Sequence, residues 1–320
     1  MPHSYVYTLA DPYSYEAVVR ALNPKLIVTS KGDFRAQLTK IHLERLWMQR
    51  GEENLPRIMK AAVYPKGAAI IFHSDRKQGP IHVNGVEVSP GEIVVHRRDD
   101  AFHLRTSGSF RFAVMSLTHA ELAVAGEAIA GHELKAPSDT CIIRPDPVSM
   151  CRLMDLHQAA GQLAKSAPDT LAVSAIAKAL EQDLVHAMVT CLTGHPQIET
   201  RYCSGQHSRI IARFDDFLAA RRYEPVYVPE ICKSISVSER TLRSCCHEHL
   251  GMGPARYLWL RRMHLARRAL LRADPQAATV TEIATEHGFW ELGRFSVEYR
   301  ALFGESPSVS LRRPPISASA

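Results

Sequence analysis

Residues 280–307 read VTEIATEHGFWELGRFSVEYRALFGESP, and this stretch decides the fold of the C-terminal part of the chain. Thr281 to His287 predicts a short helix, and Gly288 supplies a turn after it. Glu291 to Phe303 predicts a second helix, which Gly304 closes. Two short helices joined by a tight turn form a helix-turn-helix unit.

The same plan is present upstream. Pro229 begins a short helix, Ser236 to Ser238 interrupts it, and Ser238 is placed to cap a helix from Glu239 to Leu250. A long helix from Pro254 to about Arg272 joins the two units. Their second helices start about 53 residues apart. Such a spacer can place two helices in successive major-groove segments on one face of DNA, about 34 Å apart.

Charge separates the two parts of the 320-residue chain. Residues 1–200 balance 21 Lys and Arg against 21 Asp and Glu, whereas residues 201–320 hold 18 basic and 12 acidic residues. Seventeen of these 18 are Arg, with Lys233 as the exception. The planar guanidinium group suits phosphate and guanine, so the basic part favours a nucleic-acid partner.

These motifs resemble the DNA-binding domain of the AraC/XylS family over residues 208–313. In the second unit, the family's fixed apolar, turn and stop positions are held by Ala284, Gly288, Phe289, Phe295, Phe303, Gly304 and Pro307. In the first unit, Ser238 to Arg243 and Leu250 to Pro254 match well. Four positions depart from the family pattern: Cys232, Ser236, Cys246 and Val297.

The resemblance implies which residues face DNA. They are Arg240, Thr241, Arg243 and Ser244 of the first unit, and Gly293, Arg294, Ser296 and Val297 of the second. We expect the three arginines to contact guanine, although contacts to phosphate or solvent alone stay open for each. The arginines of the joining helix, among them Arg267 and Arg268, are expected to face phosphate or solvent.

The N-terminal part predicts short strands. Asn84-Gly85 is a strong hairpin signal, and Pro90-Gly91 marks a turn between two further strands. Residues 61–118 resemble the cupin-like domain that many AraC-family members carry. The expected fold class is therefore α+β: a cupin-like β-barrel or sandwich with helices, followed by an all-α double helix-turn-helix domain.

From about residue 119 the pattern becomes helical. Ile176, Leu180, Leu184, Met188 and Leu192 recur every four residues, which indicates a helix that packs on its own sheet or on another subunit. The expected organisation is an effector-binding and dimerisation domain over 1–192, with its β region at about 61–118 and its helices at about 119–192. A linker over 193–207, the DNA-binding domain over 208–313 and a tail over 314–320 follow.

Candidate ligand-binding residues in the β region are Phe72, His73, His82 and His103. Metal-binding cupins need a His-x-His pair, and the predicted β region over 61–118 has none. We therefore expect no metal, no cofactor and no catalytic residue, and we favour a metal-free ligand pocket over a purely dimerising barrel.

The sequence predicts a cytoplasmic, ligand-responsive transcription regulator, more specifically an activator of a neighbouring metabolic operon. Its expected partners are promoter or operator DNA, a small-molecule effector, RNA polymerase and a second copy of the chain, with no membrane. Two alternatives stay open. One is an effector-independent DNA-binding regulator. The other is an enzyme fused to a DNA-binding domain, for which Cys141 and Cys151 lack a recognisable activating motif.

Overall fold

The computed structural model describes residues 2–19, 22–64, 67–98, 101–194, 200–202, 205–221 and 226–313. The predicted α+β class is confirmed: an N-terminal part built on two β-sheets precedes a helical C-terminal part. The predicted tail, 314–320, lies outside the described residues. No helix among the described residues combines the length and the apolar character that a membrane span requires.

The strands lie in two antiparallel sheets. An eight-stranded sheet has the order β1-β3-β4-β11-β6-β9-β12-β13, and a five-stranded sheet has the order β2-β5-β10-β7-β8. The strand bounds are His3–Leu9 (β1), Leu22–Val28 (β2), Ala36–His42 (β3), Trp47–Glu53 (β4), Arg57–Ala62 (β5), Gly67–His73 (β6), Ile81–Val83 (β7), Val86–Val88 (β8), Ile93–Val95 (β9), Ala101–Arg105 (β10), Phe110–Thr118 (β11), Cys141–Ile143 (β12) and Thr200–Tyr202 (β13).

The helices fall into three groups. The first contains only α1 (Pro12–Val18), near the N-terminus. The second follows β11 and consists of α2 (His119–Ala130), α3 (Pro147–Ser166), α4 (Pro168–Ala172) and α5 (Ser174–Thr193). The third forms the C-terminal part: α6 (Gln206–Ala220), α7 (Val228–Ser234), α8 (Glu239–Leu250), α9 (Pro254–Arg272), α10 (Val280–Glu286), α11 (Leu292–Phe303) and α12 (Pro307–Arg312).

Alternation along β11 explains why the large sheet has a core on each face. Phe110 and Phe112 point between the two sheets, whereas Ala113, Met115 and Leu117 point toward the helices behind the large sheet. Successive side chains of a strand lie on opposite faces, so one strand contributes to both cores. The first of these cores is the interior of the barrel-like N-terminal part.

The β region is longer than predicted. It begins at β1 rather than near residue 61, so the expected bounds of 61–118 were wrong at their N-terminal end. Strand β4 shows why the pattern was missed: it buries Gln49, Gly51 and Glu53. Polar residues at interior positions remove the apolar alternation by which a strand is recognised in a sequence.

Both predicted turns are confirmed. Asn84 and Gly85 have φ values of 49° and 84° and join β7 to β8, as a type I′ hairpin turn requires. Gly91, with φ of 93°, lies between β8 and β9. These two strands belong to different sheets, so the Pro90-Gly91 turn carries the chain from one sheet to the other.

The apolar stripe on α5 packs mainly inside its own chain. Leu184 and Met188 are buried in the core between the large sheet and its helices, while Leu180 and Leu192 are half-buried. Ile176, at the start of the stripe, is exposed. The predicted linker over 193–207 contains a further element, because β13 pairs with β12 at the edge of the large sheet. Three residues are too few to show a strand period in the sequence.

The helical C-terminal part packs on the five-stranded sheet. Ile27 of β2 and Ile58 of β5 are buried in the same apolar cluster as residues of α6, α8 and α9. The molecule is thus layered, with helices, the large sheet, the small sheet and the C-terminal helices in succession. The interior between the two sheets lies in the middle of this stack.

Candidate nucleic-acid interface and ligand cavity

The first helix-turn-helix unit consists of α7 and α8. Its turn contains Ser236 with φ of 54°, the left-handed conformation for which glycine is the usual residue. Ser238 ends the turn, and its hydroxyl accepts a hydrogen bond from the backbone N–H of Thr241 at 3.0 Å. The predicted cap is thereby confirmed, and Gly251 closes the helix in the left-handed conformation.

Helix α8 has one buried and one exposed face. Leu242, Cys245 and Cys246 are fully buried in the core of the C-terminal part. Burial raises the pKa of the Cys246 thiol to about 12, so this residue acts as an apolar core residue at neutral pH. The polar positions predicted to face DNA lie on the other side: Arg240, Arg243 and Ser244 are exposed, and Thr241 is half-buried beside Ser238.

The second unit consists of α10 and α11. A capping box begins α10: Thr279 donates its backbone N–H to the Glu282 carboxylate at 2.9 Å, and the Glu282 N–H returns a bond to the Thr279 hydroxyl at 3.2 Å. Gly288, with φ of 75°, supplies the predicted turn. Phe295 and Tyr299 anchor α11 in the core.

Four positions predicted to face DNA lie on the outer part of α11. Gly293, Arg294 and Val297 are exposed, and Ser296 is half-buried. The side chain of Arg294 is 69% exposed, yet its Nε donates to Glu298 Oε1 at 2.9 Å. Glu298 also accepts a hydrogen bond from Trp259 Nε1 of α9 at 3.1 Å. Arg294 is therefore engaged before any DNA approaches.

Sequence reasoning missed Trp290 as a surface residue. It lies two positions before Leu292, the first residue of α11, and is 70% exposed, whereas its neighbour Phe289 is buried against Phe295 with ring centroids 4.8 Å apart. The exposed indole forms an apolar surface beside α11. The signal in the sequence was two consecutive aromatic residues at the turn, of which only one can enter the core.

The joining helix α9 corrects one expectation. Arg267 is buried, at 5% exposure, and donates to Asp11 of the N-terminal part at 2.9 and 3.1 Å. It also pairs with Glu305 at 2.9 Å, while Arg268 pairs with Glu16 of α1. These two arginines face the N-terminal part and not phosphate or solvent. Their partners in the N-terminal part, Asp11 and Glu16, lie more than 250 positions away, so sequence spacing could not reveal them.

Other contacts extend this junction. Asp215 of α6 accepts from Lys60 Nζ at 3.0 Å and lies 3.2 Å from His103 Nε2. Nε2 of His264 on α9 lies 3.1 Å from the carbonyl oxygen of Val28. Burial, together with the nearby charge of Arg268, lowers the pKa of His264 to about 3. The imidazole is therefore neutral and donates to this carbonyl.

A cavity of about 580 Å³ lies between the two sheets. Its walls are apolar and aromatic and include Trp47, Met59, Ile71, Leu104, Phe102, Phe110 and Phe112. Exposed residues at one end, among them Glu44, Arg45, Tyr64 and Thr118, form its mouth. The volume lies in the range of pockets that hold small organic ligands.

The floor of the cavity carries a compact polar cluster. Arg57 donates to both carboxylate oxygens of Glu53, at 2.6 and 3.1 Å, and to the Leu104 carbonyl oxygen at 3.1 Å. The Tyr15 hydroxyl donates to Glu53 at 2.6 Å. Burial alone would lower the pKa of Arg57, but the ion pair and hydrogen bond with Glu53 hold it above its usual value. The cluster is thus a charge-neutral, hydrogen-bonded unit.

None of the four predicted ligand-binding residues lines this cavity. Phe72 points into the core behind the large sheet, and His73 packs edge-on against Phe110 with ring centroids 5.6 Å apart. His103 faces Asp215 at the junction, and His82 lies half-buried on β7. The prediction used histidines as markers of a ligand site, whereas the wall of this cavity consists mainly of apolar residues from many strands.

No group of three or more His, Cys, Asp or Glu side chains within the described ranges is arranged to hold a metal ion. Both cysteines considered for enzymatic activity are free thiols. Cys141 is buried on β12, and burial raises its pKa. Cys151, on α3, is half-buried beside Arg76.

Comparison with known proteins identifies the C-terminal part. Residues 231–313 match the model of a helix-turn-helix domain family. A probable thc operon regulatory protein of Rhodococcus erythropolis is 44% identical over 100 residues, which are 31% of this chain and 30% of that protein. The transcriptional activator RhaS of Pectobacterium carotovorum is 30% identical over 174 residues, 53% of this chain and 58% of that protein.

The chain thus spans less than two thirds of the length of these curated relatives. Among solved structures, the AraC-like transcriptional activator CuxR aligns with 88% of this chain and all of its own, at 14% identity and a TM-score of 0.41. The family model and the sequence relatives agree with the two helix-turn-helix units described above. Residues 231–313 therefore form a helix-turn-helix domain that is similar in sequence to parts of these transcriptional regulators.

Proposed function

We propose that this protein is a sequence-specific, ligand-responsive transcription regulator that binds duplex DNA through α8 and α11. The observation that carries the proposal is a pair of helix-turn-helix units that share one core and leave both recognition helices exposed. Side chains that suit base edges, namely Arg, Ser and Thr, occupy the exposed face of α8. The printed names of the relatives, an operon regulatory protein and a transcriptional activator, support the same function.

The geometry supports binding along one face of the duplex. The two recognition helices start 53 positions apart, at Glu239 and Leu292, and α9 joins the two units with 19 residues. A helix of that length spans about 28 Å, which is close to the rise of one turn of DNA. The excess of arginine in residues 201–320 supplies the phosphate contacts that such a complex needs.

The cavity supports an effector as part of this function. A large apolar cavity inside the N-terminal part is the kind of site that binds a small organic molecule. Tyr15 of α1 lines it, and the neighbouring Asp11 and Glu16 pair with α9 of the DNA-binding part. A ligand that moves α1 would act directly on the helix that joins the two units. This arrangement favours a ligand-responsive regulator over one without an effector.

The proposal includes the setting in which the regulator acts. We place it in the cytoplasm, where it would act on RNA polymerase at a promoter. We propose activation of a neighbouring operon, because a relative is named as a transcriptional activator. A homodimer would double the number of DNA contacts. The fused-enzyme alternative receives no support from Cys141, since its buried thiol with a raised pKa is a poor nucleophile.

Footprinting tests the proposal directly. Purified full-length protein should protect a segment upstream of its own or a neighbouring gene at low salt, and protection should weaken steeply as salt rises. The Arg240→Ala/Arg243→Ala double variant should lose this footprint. Lys135→Ala, which removes a highly exposed charge from the N-terminal part, should keep it. Failure to protect any upstream segment would contradict DNA-binding regulation.

A further inference from the structure

We propose that the cavity between the two sheets selects an uncharged, mainly apolar molecule and discriminates against carboxylates. This inference rests on the proposed ligand-responsive function and specifies the chemical class of its effector. It follows from three features of the cavity: its walls, the charge balance of its lining, and the chemistry of its buried polar groups.

The walls favour an apolar ligand. Aromatic side chains from both sheets face each other across the cavity, with Trp47 and Phe112 on the large sheet and Phe102 on the small one. Their side chains are at most 7% exposed, so a ligand between them is removed from water almost completely. Burial of apolar surface then supplies most of the binding free energy.

The charge balance disfavours an anion. The charged residues that line the cavity are two arginines and three glutamates: Arg45, Arg57, Glu44, Glu53 and Glu121. Each of these arginines already has a carboxylate partner among the described residues. Arg57 pairs with Glu53 inside the cavity, and Arg45 pairs at the mouth with Glu181 at 2.9 Å.

A buried carboxylate would therefore add an uncompensated negative charge to a neutral interior. Moving a charge out of water without a counter-ion costs much more free energy than moving a neutral polar group that keeps its hydrogen bonds. A cation gains no advantage either, because Glu53 is neutralised by Arg57 at the floor. An uncharged ligand avoids both penalties.

The buried polar groups suit a neutral head group. Gln49 is 2% exposed on β4 and lines the cavity between Trp47 and Glu53. Its amide is polar but carries no charge, so it offers no counter-ion to a carboxylate or to a cation.

The experiment compares pairs of probes that differ only in charge. Naphthalene-2-carboxamide and 2-naphthoate form an aromatic pair, and decanamide and decanoate form an aliphatic one. Isothermal titration calorimetry on the full-length protein at pH 8 should show at least about tenfold tighter binding of the amide in one pair or both. Tighter binding of the carboxylates would overturn the inference.

Two variants test whether the preference for the amide arises in this cavity. Val114→Phe fills the space between the sheets and should abolish binding of the amide. Glu53→Gln leaves the Arg57 charge without its partner, so the preference should shift by about tenfold or more toward the carboxylate. Circular dichroism confirms folding of each variant. If Glu53→Gln does not fold, the comparison of amide and carboxylate binding by the unmodified chain still tests the inferred selectivity.

The two proposals fail in different ways. A protein that protects its DNA segment but binds none of the four probes would overturn the inference about the cavity and leave DNA binding intact. A protein that binds an amide but protects no DNA would overturn the proposed regulation instead. An unchanged preference in folded Glu53→Gln would also contradict the inference, because the ion pair would then not control selectivity.

Discussion

Ser236 adopts a backbone conformation that residues with a Cβ atom disfavour. Its φ of 54° lies in the left-handed region, where a Cβ atom costs about 1–2 kcal/mol and glycine costs little. Glycine removes this strain, but it also increases the entropy of the unfolded chain, which offsets part of the gain. We therefore expect Ser236→Gly to raise the free energy of unfolding by about 0.5–1 kcal/mol. Urea denaturation followed by circular dichroism measures the change.

Ser234→Gly is the matched control for that substitution. Ser234 is exposed at the end of α7, where the backbone is helical, so glycine there should lower the free energy of unfolding by a few tenths of a kcal/mol. Opposite signs at two serines only two positions apart would separate backbone strain from loss of the hydroxyl group. A destabilised Ser236→Gly would show that the left-handed serine is not strained.

The three arginines predicted to face DNA differ in their surroundings. Neither Arg240 nor Arg243 has an ion-pair partner among the described residues, whereas Arg294 is held by Glu298 at 2.9 Å. We expect Arg240→Ala and Arg243→Ala each to weaken specific DNA binding by about 1–3 kcal/mol. The loss for Arg294→Ala should be smaller, because DNA must displace Glu298 to use it. Gel-shift titration on the footprinted segment gives the three losses.

Glu298→Gln tests the reason for this ranking. Glutamine retains an acceptor for Trp259 but releases the Arg294 charge. DNA binding should become tighter in Glu298→Gln, and the effect of Arg294→Ala should increase in that background. Equal losses for all three arginines in the unmodified chain would contradict the ranking. An unchanged Arg294→Ala effect in the Glu298→Gln background would contradict its cause.

At the scale of elements, the short helix α1 connects the cavity with the DNA-binding part. Asp11 caps it by accepting from the N–H groups of Tyr13 and Ser14 at 2.8 and 3.0 Å, and its other oxygen binds Arg267. Tyr15, one turn further, reaches the floor of the cavity. One turn of α1 therefore contacts both the DNA-binding part, through Asp11, and the cavity, through Tyr15.

We expect Asp11→Asn to lower the free energy of unfolding by about 1–3 kcal/mol, because it removes a buried charge from Arg267 while an amide oxygen can retain the cap. A double-mutant cycle with Arg267→Met should give a coupling energy of about 0.5–3 kcal/mol. Thermal or urea denaturation of the four proteins supplies the values.

Lys77→Met combined with Asp11→Asn is the control pair, because Lys77 lies in an exposed turn that bonds to Asp75. The effects of these two substitutions on the free energy of unfolding should be additive. A coupling energy near zero for Asp11 and Arg267 would show that their contact does not hold the two parts together. Equal coupling in both pairs would point to a general charge effect.

The C-terminal helices could be predicted from the sequence because their signals are local. Ser238, Gly251 and Gly304 mark helix ends at the positions where the structure has them. The first half of the β region and the cavity could not be predicted, since Gln49 and Glu53 occupy interior positions that normally hold apolar residues. The pairing of Arg267 with Asp11 depends on the tertiary fold alone.

At the scale of the whole molecule, several buried histidines are neutral. Burial lowers the pKa of His157 and His264 from 6.5 to about 3, and that of His73 and His249 to about 4. His73 and His157 lie inside the N-terminal part, whereas His249 and His264 lie where the C-terminal helices meet the small sheet. Protonation of these histidines at low pH would therefore destabilise both the N-terminal interior and the junction.

The sign of the pH dependence follows from proton uptake. Between pH 6.5 and about 4, the unfolded chain binds protons on these histidines that the folded chain does not bind. Stability should therefore be insensitive to these groups above pH 7 and fall as pH drops below 6.5, by up to about 1.4 kcal/mol per pH unit for each histidine. Urea denaturation at half-unit steps from pH 8 to pH 5 measures this slope.

His264→Gln tests the contribution of the junction. Glutamine can still donate to the Val28 carbonyl oxygen but does not titrate, so the slope below pH 6.5 should become shallower by the equivalent of about one proton. His247→Gln is the control, because His247 is exposed on α8 and its loss should leave the slope unchanged. If both variants keep the slope of the unmodified chain, His264 does not take up a proton on unfolding. Acid sensitivity would then arise from the other buried histidines, His73, His157 and His249.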